Sequence, residues 1–129
     1  MILLPDTPLL LQAAVLVAGP RTREAAKLMG DPQNRNVFSA ASIWEAAMKF
    51  ALGRPDFTVE PRTLRRALLD NGYEELPITA LHGAAVAGLP PVHRDPFDRI
   101  LVAQAMVEGF TLLTTDAILA RYPGPIQVF

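Results

Sequence analysis

The sequence predicts an α/β fold in three layers, with helices on both faces of a central parallel sheet. Three observations carry that expectation. Short apolar or β-branched runs alternate with longer segments of helical periodicity along the whole chain. Helix punctuation recurs, with Pro8, Pro61 and Pro96 at helix starts and Gly30, Gly53, Gly72 and Gly109 beyond helix ends. Half of the 129 residues are hydrophobic and 19% are charged, enough apolar side chain to fill the core of a single domain spanning residues 1–129.

The elements follow in order. Residues 1–5 read as a strand; Pro5 lacks a ladder donor, so pairing is expected to stop there. Pro8 falls in the first turn of a helix running to about Val17, and residues 22–29 form a second helix stopped by Gly30. Residues 36–39 are a short strand. Residues 42–52 are a helix ended by Gly53, with Ile43, Ala46, Ala47 and Phe50 at helical spacing. Residues 61–71 make a helix opened by Pro61, residues 74–78 a brief strand, and Thr79 caps a helix to about Ala87. A proline-rich loop, 89–94, leads to the clearest helix, 96–108, with Asp95 as N-cap and Gly109 past its end. Residues 110–114 are a strand, 116–121 a short helix and 126–129 a last strand.

Composition narrows the function classes. No cysteine is present, which removes disulfides, thiolate zinc sites and thiol nucleophiles. The apolar opening, residues 1–19, lacks a basic leader and is interrupted by Asp6 and two prolines. Its uninterrupted part is about half a bilayer span, so a soluble, cytoplasmic protein with no membrane partner is expected. Twelve basic and 13 acidic residues give a net charge of −1. Any nucleic-acid contact must then rest on a local patch or a bound cation, since a non-specific binder is usually more basic. There is no glycine-rich phosphate loop and no HExxH motif.

Four acids stand out: Asp6, Glu45, Asp98 and Asp116. Each follows a strand-like run or lies near a helix start, and in a parallel α/β sheet those positions converge on one edge. Gathered carboxylates repel one another and need protons or a cation; a divalent metal held by acids performs phosphodiester hydrolysis. Each acid also has a plainer explanation. Asp6 and Asp116 suit N-caps. Ser42 and Glu45 fit a capping box, and Glu45 precedes Lys49 by four residues, the favourable order for an ion pair. Asp98 faces the dipole of the helix that Asp95 caps, which leaves Asp98 free to point at the sheet edge. His82 is expected at the surface or half buried in its alanine-rich helix. His93, in a loop near Asp95, can approach the site but has no serine or acid partner in a hydrolase pattern.

Several segments together resemble the PIN-domain ribonucleases, specifically the toxin of VapBC-type toxin–antitoxin pairs. They are residues 3–7 (Leu-Leu-Pro-Asp-Thr), residues 39–45 (Ser-Ala-Ala-Ser-Ile-Trp-Glu) with Lys49, residues 89–99 running into Ala103-Gln104-Ala105, and residues 113–116 (Leu-Thr-Thr-Asp). The resemblance implies an α/β/α sandwich and metal-dependent endoribonuclease activity. It maps the family's acids onto Asp6, Glu45, Asp98 and Asp116, with Thr114 at a frequent hydroxyl position and Asp95 as a further acid, more cap than ligand. Pro5 and Pro8 flank the Asp6-Thr7 pair where relatives more often carry an aliphatic residue and a histidine, and Gln12 replaces a frequent aromatic.

On that basis one or two Mg²⁺ or Mn²⁺ ions are expected on Asp6, Asp98 and Asp116, with Glu45 acting directly or through water. Thr7 and Thr114 would support them, and Lys49, Arg94 or Arg99 would contact phosphate, although Lys49 equally suits an ion pair with Glu45. The resemblance further implies an RNA substrate, homodimerisation, and an antitoxin that wraps the enzyme and sets a basic side chain near the acids. The competing readings are a DNA nuclease on the same fold, or a degenerate site in a protein-interaction or operator-binding module.

Overall fold

Five strands, all parallel, form one sheet in the order β3-β2-β1-β4-β5. The computed structural model describes residues 1–15 and 20–129. Along the chain the elements are β1 (Ile2–Pro5), α1 (Thr7–Val15), α2 (Pro20–Gly30), β2 (Arg35–Ser39), α3 (Ala40–Ala51) and α4 (Pro61–Asp70). They continue with β3 (Glu74–Leu76), α5 (Ala80–Ala85), a 3₁₀ turn (Val86–Gly88), α6 (Pro96–Glu108), β4 (Thr111–Thr114), a 3₁₀ segment (Ala117–Arg121) and β5 (Ile126–Val128). The predicted end of the first helix near Val17 lies outside the described residues.

Both faces of the sheet are apolar, as burial on two sides requires. Successive residues alternate between faces: Leu4, Val37 and Leu112 join the core with α6 residues Leu101, Val102 and Ala105. Their neighbours Leu3 and Leu113 meet Leu9, Ala25 and Met29 of α1 and α2, and Phe38 meets Leu10, Ala46, Leu64 and Leu68 of α1, α3 and α4. The three-layer α/β expectation holds. No helix among the described residues is long and apolar enough to cross a membrane.

Several boundaries are corrected. Pairing of β1 with β2 ends at Leu3–Asn36, but pairing with β4 continues through Pro5–Leu113. N–H directions alternate along a strand, and the Asp6 N–H goes to the Leu113 carbonyl of β4 at 2.9 Å. The donor missing from Pro5 therefore falls on the β2 side only. Helix α3 begins at Ala40, with Ser39 as its cap accepting from the Ala41 N–H at 3.0 Å. Ser42 is thus inside the helix, and no capping box explains Glu45. The helix after Thr79 turns 3₁₀ at Val86, and the segment after Asp116 is 3₁₀ throughout.

The chain runs from β1 outward to β2 and β3, then returns to place β4 on the other side of β1. Reversal between β1 and β4 makes a topological switch point, where a crevice opens beyond the carboxyl ends of the strands.

Candidate metal centre

Asp6 and Asp116 flank that crevice. Asp6 directly follows β1 and is 2% exposed. Its Oδ1 accepts the Leu9 N–H at 3.1 Å, which caps α1, and its Oδ2 accepts the Thr114 hydroxyl at 2.6 Å. Capping and site placement are therefore two jobs of one carboxylate. Burial lifts its pKa from 3.8 to about 6, the charges of Glu45 and Asp116 add to the rise, and the bonds from Thr114 and Leu9 oppose it. Thr114, at the end of β4, also accepts the Asp116 N–H at 3.0 Å, so one hydroxyl links the two acids.

Asp116 caps the 3₁₀ segment through Oδ1, which accepts the Ile118 N–H at 3.0 Å. Its Oδ2 lies 3.2 Å from His93 Nε2, which is 3.4 Å from Asp98 Oδ2. Asp98 stands in the first turn of α6, and Asp95 supplies the cap, with Oδ1 accepting the Phe97 N–H at 2.9 Å. That division of labour leaves the Asp98 carboxyl without a capping duty. Burial first, then the charge of Asp95, push it up to about 7; His93 pulls it down, while Asp6 and Glu45 push it further up.

Glu45 is almost buried on α3 and pairs with Lys49 at 3.0 Å. Its charge acts on both Asp6 and Asp98. One turn earlier, Ser42 accepts the Thr7 hydroxyl at 2.9 Å, a bond that ties α3 to the start of α1 behind Asp6. Asp6 therefore feels the charges of Glu45 and Asp116, Asp98 feels those of Asp6 and Glu45, and His93 bridges Asp98 and Asp116.

The predicted cations separate. Lys49 is engaged by Glu45. Arg99 is engaged within the fold: its guanidinium donates to the Pro90 carbonyl (3.0 Å), the Val86 carbonyl (3.3 Å) and the Tyr122 hydroxyl (3.1 Å). It anchors the 86–94 loop. Arg94 is exposed and makes no hydrogen bond or ion pair among the described residues. His82 is corrected too. It is 1% exposed, completes the Thr79 capping box through Nδ1, and binds Glu108 through Nε2 at 2.8 Å.

His93 and Tyr122 are what sequence reasoning undervalued. Donor atoms of His93, Asp98 and Asp116 lie within 4.8 Å of one another, close enough to share a cation. However, His93 Nδ1 accepts the Asp95 N–H at 3.0 Å. A neutral imidazole accepting at Nδ1 carries its proton on Nε2, so the ring presents a donor to the two carboxylates. Ligation through Nε2 would require losing the Asp95 bond. In this arrangement His93 draws Asp98 and Asp116 together. Tyr122 holds the loop, its hydroxyl accepting the His93 N–H at 2.9 Å. The short His-x-Asp spacing is the one local signal for this turn; nothing local marks Tyr122.

The donor set fits a hard divalent cation. It consists of carboxylate oxygens whose burial, with neighbouring negative charge adding to it, raises two pKa values, and among the described residues Lys49 is the one lysine or arginine paired to any of the four acids.

A parallel sheet with carboxylates gathered at its switch point defines a PIN-like α/β protein. The PIN domain family pattern matches residues 3–125, and the chain belongs to that family. Its fold is similar to a chain of the VapBC2 structure from Rickettsia felis bound to a promoter DNA fragment (TM-score 0.72, 14% identity, 99% of this chain and 98% of that one). It also resembles a chain of a toxin–antitoxin complex from Klebsiella pneumoniae (0.64, 15%, 97% and 95%). FitAcB from Neisseria gonorrhoeae is a third (0.60, 19%, 92% and 90%). No curated protein sequence matches it.

Proposed function

We propose that this PIN-domain chain is a metal-dependent endoribonuclease acting as the toxin of a type II toxin–antitoxin pair. The observation that carries the reading is the convergence of Asp6, Glu45, Asp98 and Asp116, from four separate elements, with two carboxyls held above their ordinary pKa. A degenerate interaction module has no reason to keep carboxylates that burial and neighbouring charge make costly. Asp6, Asp98 and Asp116 would hold Mg²⁺ or Mn²⁺, with Glu45 beside them. When bound, the cation supplies charge neutralisation at the phosphate and acidifies a water. The protein's own part is to fix those oxygens: Thr114 orients Asp6 and the Asp116 backbone, His93 draws Asp98 toward Asp116, and Lys49 restrains Glu45. Arg94, exposed and unpaired among the described residues, is the remaining one of the three predicted cations suited to a substrate phosphate.

An antitoxin partner is supported by the likeness to chains crystallised in toxin–antitoxin complexes. It is also supported by an apolar cavity of about 290 Å³ lined by Leu9, Gln12, Ala26, Met29 and Tyr73. Among the described residues Gln12 Oε1 is buried there without a partner, an acceptor open to a donor from a bound chain.

The test is incubation of the purified protein, free of any partner, with total RNA and Mg²⁺, beside single-stranded DNA, excess chelator and the Asp98→Asn variant. RNA cleavage that chelator and the variant both abolish is expected. Cleavage of DNA alone, or turnover indifferent to chelator, would overturn the reading.

A further inference from the structure

Glu45 and Asp98 each follow an aromatic residue, and the two aromatics meet. Trp44 of α3 and Phe97 of α6 pack edge to face, ring centroids 5.1 Å apart at 73°. Despite that contact Trp44 is 60% exposed, and Met48, one turn further along α3, is 49% exposed. A braced indole left open to water gains nothing for folding from its exposed surface. Its position is specific: α3 packs on α6, so the ring stands at the rim of the crevice, one residue from Glu45 and across from the helix start bearing Asp98. A polynucleotide whose phosphate reached those acids would have a base within reach of this ring.

We infer that Trp44, braced by Phe97, is a base-stacking platform that seats an unpaired nucleobase of a single-stranded RNA beside the phosphate to be cut. The inference rests on the nuclease reading for its substrate. An aromatic face accepts any base that is not already stacked in a duplex, so the platform selects for single-stranded or splayed substrate without a preference for sequence. It also answers the difficulty posed by a net charge of −1: stacking provides affinity that a neutral surface does not. Trp44 is a positioning residue, and its loss is expected to weaken substrate binding and leave the chemical step intact.

Trp44 is the chain's single tryptophan, so its fluorescence reports the platform directly. The experiment titrates the full-length Asp98→Asn protein, with Mg²⁺ present, with a short single-stranded oligoribonucleotide and with an abasic oligonucleotide of equal length and charge. Quenching by the first and not the second is expected. In steady-state cleavage by otherwise wild-type protein, Trp44→Ala should raise KM about 5- to 150-fold, the equivalent of one lost base–aromatic stack, with kcat unchanged. Trp44→Phe, which keeps a ring, should recover most of that loss.

Equal quenching by the abasic strand, or an unchanged KM in Trp44→Ala, overturns the platform. So does a Trp44→Ala protein that changes oligomeric state in sedimentation yet keeps its KM, since the ring then belongs to a contact with a second copy. The two readings fail separately. Base-dependent quenching without cleavage by wild type supports the platform and removes the nuclease, whereas cleavage without quenching does the reverse.

Discussion

Replacing Asp98 with asparagine should stabilise the cation-free protein at alkaline pH while abolishing its activity. In the folded chain burial, then the charge of Asp95, lift this carboxyl from 3.8 to about 7. A carboxyl with a raised folded pKa binds its proton more tightly when folded, so folding is penalised as pH climbs. The penalty is absent below about 4, grows across the interval to about 7, and is complete above it. Three pH units correspond to an upper bound of about 4 kcal/mol. The side chain is 17% exposed, and solvent screening reduces the figure to roughly 2–3 kcal/mol. Asparagine keeps an acceptor for His93 and removes the charge. For a chain of this size the gain is a melting temperature higher by roughly 8–12 °C.

Thermal melts followed by circular dichroism, in excess chelator at pH 5 and pH 8, read this directly. The variant should exceed wild type at pH 8, and the difference should fall to about two-fifths of that at pH 5. Adding Mg²⁺ should raise the wild-type melting temperature, since binding only the native state stabilises it, and should raise the variant's much less. A variant no more stable than wild type at pH 8, or a difference that ignores pH, would refute the assignment of Asp98 to a crowded, cation-seeking cluster.

Three further outcomes follow from the same geometry. Thr114→Val removes the donor to Asp6 and the acceptor of the Asp116 N–H, so it should cost about 1–3 kcal/mol in urea denaturation; an unshifted midpoint would show that the hydroxyl links nothing. His93→Ala should slow cleavage while keeping a Mg²⁺-dependent rise in melting temperature, because the ring offers a donor to the acids; loss of that rise would make it a ligand. Arg99→Ala should cost roughly 1–3 kcal/mol by freeing the carbonyls of Val86 and Pro90. Its KM for RNA should not change, and a large KM effect would return Arg99 to the substrate.

What was readable in advance is local in physical origin. Asp95-Pro96 opening α6 and Gly109 closing it, in the left-handed region at φ 73°, are decided within a turn of the chain. The Glu45–Lys49 pair follows from helical spacing alone. Ambiguity entered where two local solutions competed. Ser42-x-x-Glu45 satisfies the capping-box pattern, yet Ser39 terminates β2 in extended backbone and captures the cap first, so the helix starts earlier than the pattern suggests. His82 looked superficial because its own helix is alanine-rich, but α5 packs on α6 and buries it, with Glu108, 26 residues away, as its partner.

By itself the sequence determined the α/β class, the approximate helix and strand positions and which acids lie at strand ends and helix starts, because periodicity, capping and proline or glycine chemistry act over a few residues. Tertiary structure alone decided what those acids touch. The Asp6–Thr114 bond joins residues 108 apart, Arg99 is claimed by carbonyls and a tyrosine from other segments, and His93 meets carboxylates from the start of α6 and beyond the end of β4. Strand order set these meetings, by returning β4 to the side of β1, and no short-range pattern encodes that return.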